Sequence, residues 1–303
     1  MCHALSMNAS MKNQVCLITG ATRGIGRATA HALAMNGATV VIVGRDATRS
    51  ASTVRTLIAE TGNPSVSALV GDLAVQSEIV RVADEFKSRH DRLDVLMNNA
   101  GGIFYERQVS GDGIEMTIAL NHLGYFRLTH ELRGILVASH AARIVSVASG
   151  AHQMARINFD DLQGERNFSG WRAYAQSKLA NILFTVELAR QLAGTRVTAN
   201  ALHPGFVATN FGMSGAKSPV MNIGMSVARL FARSPERGAQ TAIYLATSPE
   251  VAGVTGLYFF DRKPVPPSAA GRDLAAANRL WMVTAGMCGI GNETDSHAHS
   301  HSH

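Results

Sequence analysis

The chain has 303 residues, 46% of them hydrophobic and 17% charged, and carries a net charge of +6. That composition holds enough apolar material for a sheet covered on both faces, which excludes a disordered polymer. The basic residues are dispersed and accompany no nucleic-acid motif, which argues against a nucleic-acid partner.

No run of about 18 apolar residues occurs, and the opening MCHALSMNASMK lacks the apolar stretch of a secretory signal, so no integral membrane segment and a cytoplasmic location are expected. Cys2, Cys16 and Cys288 have neither metal-ligand nor disulfide-framework spacing and read as reduced thiols. No linker or repeat divides the chain. The expected organisation is an extension over 1–13, one domain over 14–290, and a disordered His-rich tail over 291–303, where His297, His299, His301 and His303 alternate with small residues.

The domain opens with the apolar run VCLIT (15–19), a buried strand, followed by a glycine turn and a helix whose surest part is 27–35. Gly20, Arg23, Gly24, Ile25 and Gly26 lie in that turn. Small residues there let backbone approach a pyrophosphate, and the helix start offers free N–H groups and a positive dipole end. A second strand, 38–43, ends at Gly44, Arg45 and Asp46. Arg45, with Arg23 in the turn, favours the 2′-phosphate of NADP(H), whereas an inward Asp46 would hold an NAD ribose. A helix over 50–60 leads to strand 66–70, then Gly71, Asp72 and Leu73; the Asp72 carboxylate suits either an adenine amino group or a helix N-cap.

Beyond a helix over 77–89, strand 93–98 runs into Asn98, Asn99, Ala100 and Gly101, small enough for close cofactor approach. The helix over 116–133 carries Asn121 and His122, and strand 142–148 is followed directly by Ser149. On the helix over 174–191, Tyr174 and Lys178 stand four residues apart and share a face. An ammonium near a phenol favours the phenolate, which would bring a group of pKa about 10 toward use at neutral pH. Strands 196–202 and 256–260 complete a seven-strand pattern alternating with helices, which predicts a Rossmann-type doubly wound parallel α/β sheet. The stretch 204–237 breaks the alternation, and Phe206, Phe211, Met213, Met221, Met225 and Phe231 read there as a lid. His122 and His152 have no third partner for a triad or metal site and read as structural or surface polar, and no metal is expected.

TGATRGIG, Asp72-Leu73, NNAG, Asn121 in NHLG, Ser149, YAQSK and PGFVAT together resemble the short-chain dehydrogenase/reductase family, in matching order from about Gln14 to Phe260. The resemblance implies Tyr174 as general acid/base, Lys178 as its pKa modulator and ribose ligand, Ser149 as orienter of the carbonyl, and Asn121 as holder of a relay water. It also implies cofactor contacts from Gly20, Arg23, Gly24, Ile25, Gly26, Arg45, Asp72, Leu73, Asn99, Tyr174, Lys178, Val207 and Thr209, and a homodimer or homotetramer. NHLGYFRLT, ARIVSVASGAH, LANILFTVELARQL and AANRLW look like the retinol dehydrogenase-like branch, although Ala148 stands where that branch often has a second serine and Ser146 lies back on the strand. The expected activity is NADP(H)-dependent interconversion of a carbonyl and an alcohol on an apolar small molecule. A catalytically silent NADP-binding regulator and other chemistry on the same frame, such as double-bond reduction, are the alternatives.

Overall fold

A computed structural model of the chain describes residues 10–205 and 233–291. The expected lid over 206–233 therefore falls almost wholly outside the described residues, as do Val207, Thr209, Cys2 and the His-rich tail.

Six of the strands carry apolar residues on both faces, so that each feeds two cores. In β1 (Val15–Thr19), Val15 and Leu17 face one side while Cys16 and Ile18 face the other. β2 (Thr39–Gly44) repeats this with Val41 and Val43 against Val40 and Ile42. Such strands are stable only between two helical layers, so the sheet is parallel and central.

The remaining strands are β3 (Val66–Val70), β4 (Val95–Asn98), β5 (Arg143–Val147), β6 (Thr198–Leu202), β7 (Tyr258–Phe260) and β8 (Lys263–Pro264). Their order is β3-β2-β1-β4-β5-β6-β7-β8, parallel throughout except for the antiparallel pair β7–β8. The sheet thus has eight strands rather than seven. β8 has only two residues, one of them proline, and no periodicity can announce so short an edge.

One face carries α1 (Gly24–Met35), α2 (Ala47–Thr61) and α8 (Pro235–Thr247), whose Leu33, Leu57 and Leu245 share a core with the Cys16 side of β1. The other carries α3 (Gln76–Arg89), α5 (Gly124–Glu131), α7 (Gly170–Gln191) and α9 (Leu274–Met287). Phe86, Leu128, Phe184 and Ala285 fill that second core. The helix expected over 116–133 is broken into α4 (Met116–Ile118), a π turn over Ala119–Leu123, and α5, with α6 (Arg133–Ala138) following. Trp281 of α9 lies edge-on to Phe126, centroids 4.8 Å apart, and stacks on Phe184 at 6.0 Å, fastening the last helix across α5 and α7. No helix among the described residues is long and apolar enough to cross a membrane.

Because successive connections leave β1 in opposite directions, toward β2 and toward β4, the strand ends part there and open a crevice. Thr19, Gly20, Asn98, Ser149 and the first turns of α1 and α7 surround that end of the sheet.

Candidate active site

The glycine turn is shaped by contacts that side chains would forbid. Gly20 has φ +65°, and a Cβ on it would come 2.7 Å from the Ala100 Cα. At Gly26 a Cβ would meet the Asn99 Nδ2 at 2.5 Å and the Gly20 carbonyl at 2.7 Å. Thr19 binds the turn to β4: its hydroxyl receives the amides of Asn99 (2.9 Å) and Ala100 (3.0 Å). The Asn99 side chain donates to the Thr19 carbonyl (2.8 Å) and the Gly20 carbonyl (3.2 Å), so this residue braces the turn through its amide. At the start of α1, Arg23 occupies the N-cap in extended conformation and supplies no side-chain cap. The first turn of α1, which includes Ile25, thus lacks the usual Ser, Thr or Asp cap, which suits an anion such as a pyrophosphate.

Arg23 and Arg45 are both exposed, and among the described residues neither guanidinium is in an ion pair or hydrogen bond. Asp46 is otherwise engaged. Its carboxylate accepts the Arg49 amide at 2.8 Å as the N-cap of α2, and the Arg49 guanidinium lies 3.9 Å away. Asp72 accepts the Ala74 amide at 3.0 Å, closing a turn directly after β3. The N-cap position of α3 belongs instead to Val75, so the helix-capping alternative for Asp72 does not describe this fold. Leu73 is buried beside it.

The other wall is built from β5 and α7. Ser149 is the extended residue that caps a 3₁₀ turn over Gly150–Met154, its hydroxyl accepting the Ala151 amide at 3.2 Å. This hydroxyl also lies close enough to the Tyr174 phenol to pull its pKa down against the effect of burial. Ser146 is buried in the sheet, and its Oγ has no partner among the described residues. Trp171, one turn before Tyr174, is 48% exposed with its ring 5.9 Å from the phenol ring, and Met154 at the end of the 3₁₀ turn is 73% exposed. Large apolar side chains left open at the start of α7 and at the end of the 3₁₀ turn make an apolar rim.

Lys178 is fully enclosed. Its Nζ donates to the Val147 carbonyl at 3.0 Å and sits 5.7 Å from the Tyr174 ring centre and 5.8 Å from that of Tyr125. Burial pulls its pKa from the usual 10.5 to about 7. Burial raises the phenol above its ordinary value and the Ser149 hydroxyl pulls the other way, while the Lys178 Nζ is directed at a backbone oxygen. The same oxygen also receives Asn181 Nδ2 at 3.4 Å and the Tyr125 hydroxyl at 3.5 Å, both fully buried.

Asn121 lies in the π turn, a widening of the helix that commonly marks functional sites. Its Oδ1 accepts the Gly102 amide (2.8 Å), and its Nδ2 donates to the Gly102 carbonyl (2.9 Å) and to Ser177 Oγ (2.9 Å). Both amide hydrogens are thereby committed to locking the β4 loop to α7. A side chain on Gly101 would crowd this group, at 3.0 Å from Asn121 Oδ1 and 3.5 Å from Lys178 Nζ.

His122 and His152 are buried and bonded at both ring nitrogens, so the structural reading holds and the surface reading does not. His122 meets Asn181 Oδ1 (3.3 Å) and Thr284 Oγ1 (2.9 Å). His152 meets the Ser149 carbonyl (2.7 Å) and the Ser268 amide (3.1 Å). Among the described residues no cluster of three His, Cys, Asp or Glu could hold a metal. Tyr125, Ser177 and Asn181 were not singled out from sequence; only the placement of Asn181 three residues past Lys178, on the same helical face, could have flagged it.

Sheet order and glycine turn bring a dinucleotide crevice up against Tyr174, the layout of a Rossmann-type oxidoreductase. The chain belongs to the short-chain dehydrogenase family, in its retinol dehydrogenase-like branch. The family profile, described as short chain dehydrogenase, matches residues 14–219. Human retinol dehydrogenase 14 is 42% identical over 298 residues, spanning 92% of this chain and 88% of the relative. Among solved structures, an uncharacterized protein from Mycobacterium paratuberculosis superposes with a TM-score of 0.77 at 32% identity, over 94% of this chain and 96% of the other. The RhlG/NADP active-site complex of Pseudomonas aeruginosa superposes with a TM-score of 0.66 at 28% identity, over 82% of this chain and 95% of the other.

Proposed function

We propose that the protein is an NADP(H)-dependent oxidoreductase that interconverts a carbonyl and an alcohol on an apolar small molecule, with Tyr174 as the general acid/base. The observation that carries this reading is the convergence of Tyr174 and Lys178 on the end of β5 that bears Ser149: Lys178 Nζ is buried 5.7 Å from the phenol ring centre and is held by the carbonyl of Val147, two residues before Ser149.

The bound dinucleotide would deliver or accept the hydride. Gly20, Gly24, Ile25 and Gly26 leave backbone room and amides for its pyrophosphate, and Asp72 and Leu73 lie where the adenine would end. Arg23 and Arg45 would flank the adenosine ribose, while Asp46 is committed to capping α2, which favours a 2′-phosphate over free ribose hydroxyls. The NADP in the RhlG complex supports the same choice. Ser149 donates a hydrogen bond to the substrate oxygen and orients it. In reduction the Tyr174 hydroxyl gives its proton to that oxygen, and in oxidation the phenolate takes one back. Burial keeps Tyr174 protonated at neutral pH, which fits the reductive direction. Trp171 and Met154 offer apolar surface to the rest of the substrate, in keeping with the names of the retinol dehydrogenase relatives.

A panel of ketones, aldehydes and alcohols, followed by NADPH absorbance with product identification, tests the reading. Tyr174→Phe should abolish turnover and leave cofactor binding nearly intact; near-normal kcat in that variant would refute it.

A further inference from the structure

We propose that His152 is a positioning residue for the Ser149–Tyr174 pair, acting as a neutral imidazole protonated on Nδ1 and held in that form by the backbone amide of Ser268. The inference rests on the oxidoreductase reading above and adds to it a residue from outside the reacting groups and a chain segment that fixes its chemistry.

The tautomer follows from the partners. Ser268 N–H can only donate, and it points at Nε2 from 3.1 Å, so Nε2 must present its lone pair. The single ring proton then sits on Nδ1, which lies 2.7 Å from the Ser149 carbonyl, a pure acceptor. The ring is completely buried and is packed edge-on against Tyr258, centroids 5.0 Å apart, so it has no room to rotate out of this alignment. Burial also lowers its pKa, which keeps the ring neutral.

Each end of the bridge is itself fixed. Ser149 is the residue where β5 gives way to the 3₁₀ turn, and its hydroxyl direction depends on how the peptide beside it is held. The Ser268 end belongs to the segment between β8 and α9, where the Gly271 amide returns to the Ser268 carbonyl (3.0 Å) and hydroxyl (3.2 Å). A Cβ on Gly271 would strike Pro267 at 3.0 Å and Ile182 of α7 at 3.4 Å, so that segment is seated directly on the helix bearing Tyr174. His152 therefore holds the Ser149 peptide through Nδ1–H, and the Ser268 amide, on a segment seated on α7, acts by fixing the ring form that can make that bond.

The test exploits the fact that Asn and Gln each mimic a different half of the ring. His152→Asn places an amide donor near Nδ1 and keeps the bond to the Ser149 carbonyl. His152→Gln places its acceptor near Nε2 and keeps the bond to Ser268. His152→Leu removes both. The expected result is a kcat on an apolar ketone about tenfold lower in His152→Leu and His152→Gln, largely restored in His152→Asn, with NADPH affinity unchanged in all three. Equal kcat for Asn and Gln variants, or all three within twofold of the wild type, would overturn the proposal. A second measurement needs no turnover: ring ¹⁵N shifts of the wild type at pH 7 should show His152 protonated on Nδ1. A ring protonated on Nε2 in an active enzyme overturns this inference alone, whereas a wild type inactive on the whole panel overturns the activity reading and this inference with it.

Discussion

The fully buried His122 should make the protein acid-sensitive in a defined window. Its ring nitrogens are occupied by Asn181 and Thr284, Phe184 lies edge-on at 6.2 Å, and burial pulls its pKa from 6.5 to about 4. The folded pKa is below the unfolded one, so the unfolded chain takes up the proton first. The contribution is intact above pH 6.5, is lost progressively as pH falls, and is gone below about 4. At about 1.4 kcal/mol for each pH unit of difference, the loss from this one group is about 3 kcal/mol. Urea unfolding midpoints at pH 7.5, 6, 5 and 4, for the wild type and for His122→Gln, measure it. Gln cannot titrate, so the variant should be less stable at pH 7.5 yet fall more gently on acidification, the two curves converging toward pH 4. Parallel curves would show that His122 is not the buried titrating group the geometry makes it. Some slope should persist in the variant, because burial also pulls His203 to about 4 and lowers His152.

Other outcomes are expected from the cofactor end and from the phenol. Arg45→Ala should weaken NADPH binding about tenfold, since a hydrogen bond to a charged group is worth roughly 1.5 to 3 kcal/mol, and leave NADH unchanged; adding Arg23→Ala should bring the two to parity, and equal losses for both cofactors in a titration would return the choice to Asp46. Gly20→Ala combines a φ of +65° with a Cβ 2.7 Å from the Ala100 Cα, so thermal denaturation should show a loss above ~1 kcal/mol together with weakened cofactor binding. Because burial raises the Tyr174 pKa above its ordinary value but pulls Lys178 down to about 7, any decline of reductive kcat between pH 7 and about 9 should come from Lys178 and not from the phenol, and a decline there that persists in Lys178→Arg would contradict it.

Much of this was readable because local signals and tertiary packing agree. The apolar runs at 15–19 and 66–70 coincide with β1 and β3 since each residue is buried or semi-buried on one face or the other. Tyr174, Lys178 and Ser149 could be singled out because their chemistry is carried by side-chain type and by place relative to strand ends. What stayed hidden depends on backbone. The π turn at Asn121 keeps a helical composition, so nothing in the residues themselves marks the extra residue. The helices Pro235–Thr247 and Leu274–Met287 were not drawn as such, although Ser234 and Asp273 cap them. Their hydrophobic faces are largely alanine, which carries weak periodicity. The anchoring of Lys178 escaped for a similar reason: four-residue spacing says that Lys178 shares the helix face with Tyr174, but not that its ammonium is held by a carbonyl of β5.

The Val147 carbonyl gives this site an unusual kind of robustness. Three buried donors, from Lys178, Asn181 and Tyr125, converge on an atom that every amino acid supplies identically. Exchanging Val147 for Ile or Leu alters packing on the far face of the sheet yet leaves the lysine's anchor where it was. The anchor moves only if the strand itself slips against β6, where Val147 is registered with Leu202. The orientation of the buried ammonium is thus guaranteed by sheet register, a property of the fold's hydrogen-bond ladder that point substitution at that residue cannot reach.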